Sequence, residues 1–85
     1  MNSGSKRLSD LPLGVPARVS HVEDRSSADM IAARLRDLGF VKDEPVQIVA
    51  AGPVGGDPLL VRVGFTRFAL RHGEASRILV DLVEG

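Results

Sequence analysis

Apolar residues recur along this chain with two periods. From Val15 to Val19 they alternate with Pro16, Arg18 and Ser20, the spacing of a half-buried strand. The next apolar residue is Val22 and not residue 21, so the pattern predicts a bulge or bend at Ser20-His21. In SSADMIAARLRDLGF the spacing becomes helical. Ile31, Leu35 and Leu38 stand at i, i+4 and i+7 and make one stripe, with Arg34, Arg36 and Asp37 mostly on the other faces. Ser26 and Asp29 have the spacing of a capping box. Gly39 stands where a left-handed residue ends a helix, and Phe40 is placed to fold back onto that end.

Beyond Glu44 the period returns to two. Val46 and Ile48 share one face of EPVQIVA. Leu59, Val61 and Val63 share a face of PLLVRVG, with Leu60 and Arg62 opposite. Phe68 and Leu70 alternate with Arg67, Ala69 and Arg71. HGEAS reads as a break with one helical turn, and Ile78, Val80 and Leu82 form the inner face of the last run. The pattern predicts a mainly β protein of five short strands with one long helix after the first. In a domain this small, a partly closed barrel satisfies most of the strand edges.

The 85 residues suffice for one domain with one core. Residues 1–7 are polar and read as a disordered tail, so the expected domain is 8–85. There is no cysteine, which excludes a disulfide framework, a redox pair and thiolate zinc ligation. Eleven basic residues balance eleven acidic ones, which weighs against a dedicated nucleic-acid binder. No apolar run reaches the length of about 18 residues that a membrane span needs. The start of the chain carries no apolar signal core, so a cytoplasmic protein is expected.

The segment AGPVGGDP, Ala51 to Pro58, poses a choice between a phosphate cradle and a turn. A phosphate loop of the Walker kind needs Lys and Ser/Thr after its last glycine and a helix behind them. Here Asp57 and Pro58 follow Gly56, and strand periodicity comes next. A carboxylate repels phosphate, and proline removes one N–H donor. Gly55 and Gly56 suit the positive φ of a strand-to-strand turn, so a hairpin is expected, with Val54 near its tip as an apolar contact.

Candidate chemistry is sparse. Without cysteine, and with neither histidine in a local Ser/Thr setting, a nucleophilic enzyme is not expected. His21 with Glu23, and His72 with Glu74, are pairs of imidazole and carboxylate suited to Fe(II) or Zn(II). Each pair offers two ligands where a structural zinc site has four. Exposed polar strand ends are the favoured account of both pairs. Any metal held there is expected to be weak, not a required cofactor, and to bridge two molecules into a homodimer. Arg62, Arg67 and Arg71 fall on adjacent runs, but without Tyr or Trp to stack bases they read as solvated strand faces. Val54, Leu60, Phe65, Leu79 and Val83 lie off the core phase; those left uncovered would mark an interaction patch.

Four segments, LSDLPLGVPARV, RLRDLGF, VQIVAAGPVGGDPLLVRV and FALRHGEASRILV, together resemble the ferrous iron transport protein A (FeoA) family. The shared order is an L-x-x-L-x-x-G start, a helix ending in L-G-F/L, a G-D-P hairpin and A-L-R-x-x-E-A-x-x-I, over about residues 8–84. The resemblance implies a small SH3-like barrel with an inserted helix. It also implies an accessory role beside the FeoB-type membrane transporter, which carries a cytoplasmic G-protein domain. The same fold occurs as a module of metal-dependent repressors, so a free-standing metal-responsive regulator is one alternative, and a small RNA-binding barrel is the other. The expected partner surface comprises Val54, Gly55, Gly56, Asp57, Leu60 and Phe65, with neither nucleic acid nor direct membrane insertion. Two departures stand out. VKDEP carries Asp43 where the family often has glycine, and P-V-G-G-D-P is one residue longer than the common loop.

Overall fold

The computed structural model describes residues 6–83. Strand β1 (Lys6–Arg7) leads through a 3-10 turn (Leu8–Asp10) to β2 (Ala17–Val22) and helix α1 (Met30–Leu38). Then come β3 (Pro45–Gly52), β4 (Gly56–Val63), β5 (Thr66–Leu70), the short helix α2 (His72–Ala75) and β6 (Ile78–Leu82). The strands form one antiparallel sheet in the order β1-β6-β2-β3-β4-β5. Its inner face carries Val19, Val46, Ile48, Leu59, Val61, Val63, Ile78 and Val80, all buried, as the period of two predicts. The expected bulge is present where β2 changes register between Val19 and His21 against β6.

Among the described residues six strands replace the expected five. Lys6 and Arg7 pair with Val80 and Leu79, so the expected tail of residues 1–7 loses its last two; residues 1–5 lie outside the described residues. Two charged residues carry no hydrophobic alternation, and their ordering comes from partners distant in sequence. Arg7 donates from Nη1 to Glu23 Oε1 at 2.9 Å and to the Ser76 carbonyl at 2.8 Å.

Helix α1 starts later than the capping-box spacing predicts. Asp29, and not Ser26, is its N-cap, and Asp29 Oδ1 accepts the N–H groups of Ile31 and Ala32 at 3.1 Å. Asp29 Oδ2 accepts from Arg25 N at 2.9 Å and from Arg77 Nε at 2.8 Å. Four donors on one carboxylate outcompete a serine hydroxyl at this end. The inner face of α1 is therefore Ala32 and Leu35 with Leu38 half-buried, while Ile31 lies 39% exposed at the margin. The other end follows expectation. Gly39 has φ +117°, the Phe40 N–H reaches the Leu35 carbonyl at 3.1 Å, and Phe40 is fully buried. Leu82, expected on the inner face, is exposed, although its cross-strand partner Ala17 is buried.

The VKDEP turn closes with Asp43 itself in the left-handed region, at φ +74°. Its N–H reaches the Val19 carbonyl at 2.8 Å, and the Glu44 N–H reaches the Val41 carbonyl at 3.1 Å. Aspartate tolerates this conformation better than most residues do, and two backbone hydrogen bonds offset its cost.

Candidate interaction site

The segment AGPVGGDP is a hairpin joining β3 to β4. Gly52 and Gly56 face each other across it, and Gly55 and Gly56 have φ of +61° and +80°. The glycines thus serve a turn, as expected. Gly52 has a different reason to lack a side chain, one that the composition of the loop does not reveal. A Cβ there would lie 2.5 Å from the Asp57 carbonyl oxygen, inside contact distance of backbone that cannot swing away. At the tip Val54 is 77% exposed.

Asp57 ties this hairpin to α2. Its Oδ1 accepts the His72 backbone N–H at 3.0 Å and lies 3.1 Å from His72 Nδ1, and Arg71 Nη1 is 3.9 Å from Oδ2. The His72 hydrogen bond is the main cause that lowers the Asp57 pKa below its ordinary value. The loop is thus tied to α2 at its base and exposed at its tip.

The two candidate metal pairs separate into other partnerships. His72 faces Asp57, while Glu74 Oε1 accepts the Arg71 backbone N–H at 2.8 Å at the start of α2. His21 is exposed, with Nδ1 3.1 Å from Ser20 Oγ. Glu23 is engaged by Arg7 and lies 3.6 Å from Arg25 Nε, and the Arg7 hydrogen bond holds its pKa below the usual range. Among the described residues no three His, Cys, Asp or Glu side chains come together as a metal site.

The expected partner surface is divided. Gly55, Gly56 and Asp57 stand with Val54 at the β3–β4 end. Phe65 lies fully exposed in the turn after β4, at the other end of that eight-residue strand. At a rise of about 3.3 Å per residue the two apolar tips are roughly 25 Å apart. Leu60 lies between them, half-buried, opposite Ala50 and Ala69. The arginines do not form one stripe. Arg62 and Arg67 are directly opposed across β4 and β5, Arg62 donates to Gln47, and Arg71 belongs to the start of α2.

Among the described residues no helix is long and apolar enough to cross a membrane. The family profile of the FeoA domain matches residues 6–82. A zinc-complexed crystal structure of FeoA from Stenotrophomonas maltophilia is 62% identical, with a TM-score of 0.83 over 89% of each chain. That protein is described as a prokaryotic SH3 domain protein and a candidate ferrous iron transport activating factor. The iron(II) transport protein A of Clostridium thermocellum is 36% identical over 92% of this chain and 46% of its own, with a TM-score of 0.77. The present chain thus spans about half the length of that relative. IdeR of T. acidophilum, at 19% identity and a TM-score of 0.76, shares the fold. No curated protein sequence matches the chain. The fold is therefore SH3-like, and its sheet has six strands.

Proposed function

Because the chain belongs to the FeoA family, we propose that it is a cytoplasmic accessory protein of ferrous iron transport. In this reading it binds an FeoB-type membrane transporter and modulates it, and it performs no catalysis of its own. Family membership across residues 6–82 carries the reading. The β3–β4 hairpin supports it in detail. Val54 is exposed at the end of a loop braced at its base by Asp57 and His72 and serves no core, so it is free to contact a partner. Phe65 offers a second contact of the same kind at the far end of β4.

The test compares Val54→Asp and Phe65→Asp with the parent chain for ferrous-iron uptake in cells that lack the native protein. Thermal melting and capture of the detergent-solubilised transporter accompany it. Both variants are expected to melt as the parent does, since neither side chain is in the core. Weakened capture and uptake by Val54→Asp support the hairpin as the contact. Parent-level capture by both variants removes these two tips from the interface. Absence of any capture by the parent chain refutes the partnership itself.

A further inference from the structure

The sheet is open at β5. This strand pairs with β4 along one side, and among the described residues no strand pairs with its other side. A cleft of about 350 Å³ lies along β5, between Phe68, Ala69 and Leu70 and the α1 residues Ile31, Leu35 and Leu38. Pro58 closes one side, and Arg34, Arg71 and Glu74 also line it. An unpaired strand edge beside a cleft of mixed apolar and charged lining is a template for another extended chain, because backbone groups supply pairing and alternate side chains enter the cleft.

The charged groups on this cleft are unequal. Arg34 is exposed and has no ion-pair partner among the described residues. The Arg71 side chain is 80% exposed, with its nearest carboxylate, Asp57, at 3.9 Å. The one acid present, Glu74, already accepts the Arg71 backbone N–H. Two guanidinium groups with spare donors therefore face whatever enters, and a carboxylate matches them. Ile31 stands at the margin of the helix's inner face. It was expected in the core, it is 39% exposed, and it lines this cleft.

We propose that the α1–β5 cleft binds an extended peptide that pairs along the open edge of β5, places apolar residues at alternate positions against Ile31, Leu38 and Phe68, and sets an acidic residue on Arg34 and Arg71. This goes beyond the accessory reading and does not depend on it. It names a second surface, separate from the Val54 tip.

The probe is a display library of random peptides of about seven residues, enough to pair along five-residue β5 with one residue over at each end. The full chain selects peptides with apolar residues at every second position and at least one Asp or Glu. Their binding shifts the amide resonances of Thr66–Leu70 and of Arg34. N-methylation of alternate peptide amides abolishes binding, which side-chain docking alone would survive. The double variant Arg34→Glu, Arg71→Glu melts as the parent does and loses about tenfold in affinity for the acidic peptides, a change of the size expected for charge pairs at a binding surface. The idea is overturned if no peptide is selected, or if the selected set has helical apolar spacing or lacks acids. It is equally overturned if the shifts map away from β5, or if sedimentation shows a second copy of the chain already pairing there. None of these measurements uses the transporter, so a failure here leaves the FeoB partnership standing. A failed transporter capture likewise leaves the cleft standing.

Discussion

Phe40 is the residue whose removal most directly tests how this domain is held together. It follows α1 immediately after the left-handed Gly39, is 1% exposed, and sits with its ring centroid 6.2 Å from that of Phe68 on β5. It therefore joins the inserted helix to the edge of the sheet. Phe40→Ala removes a buried ring from a core otherwise made of Val, Leu, Ile and Ala, and such truncations cost about 3–5 kcal/mol. The lost contact with Phe68 falls within that figure, since tilted ring pairs at this separation contribute about 0.5–1.5 kcal/mol. An 85-residue domain has about 4–13 kcal/mol in total, so the variant should be close to unfolding or past it. Urea titration followed by circular dichroism measures this. With a slope of about 1 kcal/mol per molar for a chain this small, the midpoint should fall by roughly 3 M or more. Phe40→Leu retains most of the apolar volume and should fall much less. A double cycle with Phe68→Ala should show coupling, because the rings touch. If Phe40→Ala costs less than about 1 kcal/mol, the helix end is not anchored in this core, and the α1–β5 cleft has no fixed wall.

Three other outcomes follow from the geometry. Gly52→Ala should melt well below Gly56→Ala, because a Cβ at Gly52 meets the Asp57 backbone at 2.5 Å, whereas at Gly56 it has room and only the positive φ opposes it; equal melting temperatures would refute the clash. Asp29→Asn keeps the oxygen that caps α1 but turns an amide NH2 toward the Arg25 N–H and Arg77 Nε donors. Arg77 is the main cause that depresses the Asp29 pKa in the folded chain, so its stabilising effect is present above the unfolded value of about 4 and is lost as pH falls through the folded value. Stability measured from pH 6 downward should therefore fall less steeply in Asp29→Asn, and an unchanged slope would count against the pairing. Zn(II) added to the chain while mass is followed by light scattering should give weak association that His21→Ala or His72→Ala reduces; tight binding by a monomer lacking both imidazoles would place the metal elsewhere.

Periodicity located the core strands well because one sheet face is buried and the other is not. Val46, Ile48, Leu59, Val61 and Val63 are buried as read, and the break after Ser20 marked a true bulge. The N-terminus of α1 is not legible locally, for a definite reason. Ser26 has the right chemistry in sequence, but Asp29 gains a donor from Arg77, 48 positions away, which no local pattern contains. The same holds for β1, which is ordered by Arg7 reaching Glu23 and Ser76. At the candidate site the turn glycines were legible because positive φ is a local property. The partners of His72 and Glu74 were not. Spacing paired the two residues with each other, whereas the fold gives His72 to Asp57 and Glu74 to the cap of its own helix.

That exchange ties the hairpin to the cleft. Asp57 holds α2 through His72, and the next residue, Pro58, forms part of the cleft between α1 and β5. Arg71 approaches Asp57 on one side and lines the cleft on the other. The base of the Val54 loop and the rim of the cleft are therefore built from adjacent residues on the same two elements, β4 and the start of α2.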